Sequence, residues 1–95
     1  MMNWSLVPVT YMAQGLQNYI ELGIPPGSFL TALLCNDFME ACRKADDTNR
    51  QVLFEWGGFL YNELPIGSFG SPDAFDRWIA HRGLAGKSER VDAID

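Results

Sequence analysis

The sequence predicts an all-α fold, a compact bundle of about four helices with an N-terminal arm and a frayed C-terminal tail. Three observations predict it. Apolar residues recur at helical spacing in four stretches, near residues 10–22, 28–44, 48–62 and 71–82. Pro, Gly, Ser, Asp and Asn, the residues that start and stop helices, punctuate the chain between them. The stretch near 48–62 is apolar on almost every side, so the other elements are expected to pack around it.

Residues 1–9 form the arm. Trp4, Leu6 and Pro8 fall on one side of an extended segment, which either lies over the domain or is exchanged with a second subunit. The first helix, 10–22, carries Met12, Leu16, Tyr19 and Ile20 on one face, with Gln14, Gln17, Asn18 and Glu21 opposite. Thr10 is its expected cap. Gly23 suits the left-handed residue after the last turn, Ile24 can fold back onto the helix, and Pro25-Pro26 forbids continuation.

The second helix, 28–44, opens on Ser28 as N-cap and carries the stripe Leu30, Leu33, Leu34, Ala41 and Ala45, with Phe29, Phe38 and Cys42 on its margins. Asp37 falls inside that stripe. A carboxylate there needs hydrogen-bond donors or a place at the rim, since burying it alone is costly; contact with a partner is the other role open to it. Arg43 and Lys44 suit the last turn. Asp46, Asp47 and Thr48 then offer caps for the third helix, 48–62.

That third helix places Val52, Leu53, Trp56, Phe59 and Leu60 on one side, and Phe54, Gly58 and Tyr61 on a second. A helix this apolar is central in its bundle or covered by a second subunit. Gly57-Gly58 is tolerable where a backbone approaches closely or the helix bends. Residues 62–70 are a loop, with Leu64, Ile66 and Phe69 expected to pin it to the core. The fourth helix has Ser71 as N-cap, Pro72 at the first position, Asp73 in the first turn, and Phe75, Trp78 and Ile79 inward. Arg82 and Gly83 close it, and residues 84–95 read as the tail.

Ninety-five residues make one domain, with the helical core over residues 10–83. The net charge is −5, and the seven Lys and Arg are scattered. Direct nucleic-acid binding is disfavoured, whereas a basic protein partner suits the acidic surface. Cys35 and Cys42, seven apart on one helix, would lie about 10 Å apart, beyond disulfide reach. Reduced thiols point to the cytoplasm. The N-terminus lacks the features of a signal peptide, and no apolar run is long enough to span a membrane.

No chemistry-bearing pattern stands out. The acids near 46–49 lack calcium-loop spacing, and Gly67-Ser68-Phe69-Gly70 is neither a nucleophile elbow nor a phosphate loop. His81 has no triad spacing, and Asp73 with Asp76 lacks the second ligand helix of a carboxylate metal site. Helix starts at Ser28 and Ser71 could hold an anion, but ordinary capping accounts for both serines. The expectation is a non-enzymatic protein without cofactor or metal.

Several short motifs together resemble a known family. They are Gly27-Ser28-Phe29-Leu30-Thr31-Ala32, Asn36-Asp37, Ala45-Asp46-Asp47 with Asn49, Phe59-Leu60-Tyr61-Asn62 with Pro65, and Gly70-Ser71-Pro72 with Trp78. Over residues 24–83 the chain resembles a family of short proteins encoded in bacteriophages and prophages. The resemblance implies an anti-CRISPR-like inhibitor in the bacterial cytoplasm. It would bind a host defence complex, a CRISPR effector, and block its nucleic-acid binding or its assembly. The alternative is a small self-associating structural or regulatory phage protein, for which a homodimer is the simplest assembly. For a basic partner surface, Asp37, Glu40, Asp46, Asp47 and Glu55 are the expected contacts.

Overall fold

The computed structural model describes residues 3–86. Of the tail expected at residues 84–95, the described part is not frayed: Leu84 is partly buried against the core and the Gly86 N–H reaches the Arg82 carbonyl at 3.2 Å. The remainder, with Val91 and Ile94, lies outside the described residues. The fold is all-α. Short 3-10 turns at Trp4–Leu6 and Thr10–Met12 lead into α1 (Ala13–Leu22), α2 (Ser28–Leu34), α3 (Phe38–Lys44), α4 (Asp47–Gln51), α5 (Leu53–Glu63) and α6 (Pro72–Ala80). Two of the four expected helices are each divided, so the chain has more and shorter helices than periodicity suggests.

The second expected helix is broken at Asn36, with φ 63°. The Asn36 N–H reaches the Leu33 carbonyl at 3.0 Å and the Asp37 N–H reaches Ala32 at 2.9 Å. This is the paired closure of a Schellman end, with Asn in the left-handed place. Asp37 starts α3, its Oδ1 accepting the Glu40 N–H at 3.2 Å. Asp37 is therefore an exposed N-cap and not a carboxylate in an apolar stripe. Cys35 and Cys42 consequently belong to separate segments, and both thiols are free and half-buried. Asn36→Gly should leave stability unchanged or slightly raised. Asn36→Ala should cost about 1 kcal/mol for the left-handed backbone. Chemical denaturation of the two variants measures the difference.

The third expected helix is interrupted at Val52, whose φ of −123° leaves helical geometry between α4 and α5. Two expected caps also move. Gly27, not Ser28, precedes α2, and Thr10 lies inside its turn with no side-chain cap at Val9. Other end signals hold. Gly23 closes α1 at φ 72°, and Ser71 caps α6 by accepting the Ala74 N–H at 3.1 Å, with Pro72 in the first turn.

The centre of the core is α1. Leu16, Tyr19 and Ile20 are fully buried, joined by Leu30 and Leu34 from α2 and Trp56 from α5. Tyr19 ties three regions together. Its ring stacks on Phe75 with centroids 5.2 Å apart. Its hydroxyl donates to the Ser68 carbonyl at 2.7 Å, and its own carbonyl accepts from Trp78 Nε1 at 3.0 Å. Burial pushes the phenol far above its ordinary pKa, so it stays a donor.

The arm covers the core through Val7 and Val9, whereas Leu6 is exposed. The short turn at Trp4–Leu6 replaces the extended register that would have placed Trp4, Leu6 and Pro8 together. In the loop after α5, Leu64 is buried and Phe69 partly so, but Ile66 points fully outward. Ser68 takes the anchoring role, buried, with its hydroxyl donating to the Pro65 carbonyl at 2.7 Å.

Candidate functional site

Helix α5 has one buried face and one open face. Trp56, Phe59 and Leu60 enter the core, while Leu53 is only partly buried. The second apolar side is not covered by any described element. Phe54 is 90% and Tyr61 80% exposed, and nearby Phe38 and Met39 on α3 are 61% and 75% exposed. A Cβ added at Gly57 or Gly58 would find no atom within 4 Å. The expectation that other elements surround this helix is therefore corrected: α5 lies at the margin of the core and presents aromatic rings outward.

Two grooves flank the open face and meet at Gly58. One, of about 480 Å³, runs between α3 and α5 and is lined by Leu33, Phe38, Leu53, Phe54 and Tyr61, with Asp37 at its edge. The other, of about 330 Å³, lies between the arm and α5, where Leu6, Pro8 and Phe59 form apolar walls and Glu55, Asn62 and Glu63 supply the polar groups. Helical spacing explains the division: Phe54, Gly57 and Tyr61 share one stripe, and Glu55 and Asn62 share the next. Among the described residues no Lys or Arg lines either groove.

The five acids expected to contact a partner occupy different settings. Asp37 caps α3. Glu40 holds a bidentate pair with Arg43, at 3.0 and 2.8 Å, and this guanidinium keeps its carboxyl below the ordinary range. Asp47 pairs with Arg50 at 3.1 Å. Glu55 lines the second groove. Asp46 is committed to structure. Its Oδ1 accepts the Asn49 N–H at 2.8 Å and the Asn49 side chain at 3.0 Å, and its Oδ2 accepts the Tyr11 hydroxyl at 2.5 Å. Asn49, 2% exposed, passes the connection inward by accepting from Trp56 Nε1 at 2.8 Å. The Thr10–Met12 turn, the start of α4 and the core indole are thus one hydrogen-bonded chain. Glu63 and the exposed aromatics were not expected as contacts. For Phe54 and Tyr61 the signal was the second apolar stripe of the third helix, which periodicity detects without showing whether it is covered; Glu63, beyond the end of that expected helix, carried none.

The Asp46 chain has a pH consequence. The Tyr11 hydroxyl, then the Asn49 N–H, hold the Asp46 carboxyl below its ordinary pKa. The folded state therefore binds this proton less readily than the unfolded chain. The stability it supplies is complete above the ordinary carboxylate pKa near 4 and is lost as pH falls through the lower folded value. Asp46→Asn keeps a capping oxygen but removes the titration. Its melting temperature should fall less steeply than that of the natural chain between about pH 5 and pH 2. Equal slopes in thermal melts would show that Asp46 is not a source of acid sensitivity.

Among the described residues no group of three or more His, Cys, Asp or Glu is placed to hold a metal ion, and no helix is long and apolar enough to cross a membrane. His81 sits exposed at the end of α6. Compared with protein-family models, curated proteins and solved structures, the chain matches none.

Proposed function

We propose that this chain is a non-enzymatic, phage-encoded inhibitor that binds a bacterial defence complex of the CRISPR type in the host cytoplasm and blocks its nucleic-acid binding or its assembly. The observation that carries the binding part is the open face of α5. Two aromatic side chains, Phe54 and Tyr61, lie 90% and 80% exposed on one stripe of a helix whose opposite face is buried in the core. Aromatic side chains at a shallow groove are the usual anchors of a protein interface. The choice of target rests on the phage-family resemblance and on the −5 charge, which suits a partner with a basic, nucleic-acid-handling surface.

Affinity capture from host lysate with the tagged chain, followed by mass spectrometry, tests the proposal. Recovery of a defence or nucleic-acid-handling complex is the expected result. Recovery of neither, together with a stable oligomer in native mass measurement, would favour the self-associating alternative.

A further inference from the structure

We propose that the α5 face receives a basic amphipathic helix from the partner, with its apolar side against Phe54 and Tyr61 and its Lys or Arg side chains against Glu55 and Glu63. The inference deepens the binding reading above and rests on it.

Shape is the first support. Gly57 and Gly58 leave the backbone of α5 bare at the crest between the two grooves, with nothing within 4 Å of either position. The axes of packed helices approach to a distance set by the side chains at the crossing, so a crossing over two glycines is close. Adjacent glycines in a helix interior weaken it, and here no described element of this domain uses the space they leave. An incoming helix would use it. Its apolar side chains would meet the α3–α5 groove on one side of the crossing, and its other flank would meet the groove beside the arm.

Charge selects the occupant. The described residues lining the two grooves include Asp37, Glu55 and Glu63, and no basic side chain is among them. A second copy of this chain laid symmetrically on the face would bring one acidic lining against another, which is unfavourable. A nucleic acid would be repelled for the same reason. An apolar helix without charge would leave Glu55 and Glu63 unanswered at the rim. A helix with Leu or Phe on one side and Lys or Arg beside it satisfies both grooves, in the helix-in-groove manner of peptide recognition.

The test is a titration of the isotope-labelled full chain with a synthetic peptide of about 18 residues, five helical turns, bearing Leu on one face and Lys on the other. A second peptide carries Glu in place of Lys. Saturable amide shifts in α5 and around Phe38 with the Lys peptide, and binding at least about tenfold weaker with the Glu peptide, are expected. Glu55→Lys with Glu63→Lys, and separately Phe54→Ser with Tyr61→Ser, should each weaken the Lys peptide by about tenfold or more. Gly58→Leu guards against loss of fold: it adds a better helix former in open space, so it should melt no lower than the natural chain yet lose the peptide. Absence of saturation, shifts mapped to other elements, equal binding of the two peptides, or a folded Gly58→Leu that binds as before would each overturn the inference. So would sedimentation as a dimer that Gly58→Leu dissociates, since the occupant would then be a second copy. Lysate capture separates this inference from the functional proposal. A chain that binds the Lys peptide but captures no defence complex loses its assigned function and keeps this surface. A Gly58→Leu chain that still captures the complex keeps the function and loses the surface.

Discussion

Trp56→Ala should leave the protein largely unfolded or molten at room temperature. Trp56 is fully buried, with its ring edge-on to Phe29 at 5.9 Å and to Phe59 at 6.1 Å. Truncating a core aromatic to Ala costs about 3–5 kcal/mol. A second loss is specific to this site. Asn49 Oδ1 accepts from the Trp56 indole in a buried setting, and without that donor it is orphaned at a further cost of about 1–3 kcal/mol. The sum approaches the 5–15 kcal/mol typical of a whole domain. Trp56→Phe largely separates the two losses, because it keeps a six-membered aromatic ring in the core and removes the pyrrole part with its N–H. It should fold, with a melting temperature lower by roughly 5–20 °C at about 4–8 °C per kcal/mol. Near-ultraviolet circular dichroism and thermal melts report both variants. A Trp56→Ala protein with natural melting would show that the core does not depend on α5.

The sequence made helix ends legible wherever one residue type is nearly obligatory. Gly23 behind α1 and Ser71-Pro72-Asp73 before α6 are of this kind, and both stand where expected. The break at Asn36 was harder to read because the apolar stripe continues in phase across it, from Leu30 and Leu34 to Ala41. The signal was nevertheless present. Asp37 was an anomaly within a helix interior, yet Asn followed by Asp is a natural sequence for a left-handed stop and a new cap. The interruption at Val52 carries no comparable mark. It lies between Asn49 and Trp56, whose side chains are hydrogen-bonded seven residues apart, a contact that apolar periodicity does not report. The open face of α5 illustrates the same limit for the candidate site. Two apolar sides were evident, but a pattern of side chains states what would gain from burial, not what is buried. Of the acids picked by charge, only Glu55 and Asp37 line the grooves beside the exposed rings. Glu40, Asp46 and Asp47 already have partners within the chain.

Gly83→Ala should be strongly destabilising although it adds only a methyl group. The ends of α1 and α6 meet backbone to backbone. A Cβ at Gly83 would lie 2.5 Å from the Ile20 carbonyl oxygen and 2.8 Å from the Gly23 nitrogen. A Cβ at Gly23 would lie 2.8 Å from the Arg82 Cα. Both glycines also have left-handed φ, at +72° and +61° for Gly23 and Gly83. An added methyl group therefore meets two penalties: about 1–2 kcal/mol for the conformation and about 1–3 kcal/mol for overpacking against rigid backbone. Gly67 supplies the control. Its φ is +93°, but nothing lies within 4 Å, so Gly67→Ala carries the conformational penalty alone. In thermal melts Gly83→Ala should fall by about 10 °C or more, and by clearly more than Gly67→Ala. The Gly23→Ala and Gly83→Ala effects should also be less than additive when combined, because one separation of the two backbones relieves both clashes. Equal losses at Gly83 and Gly67 would mean that the helix ends are not in close contact; full additivity would mean that the two clashes are relieved by independent movements.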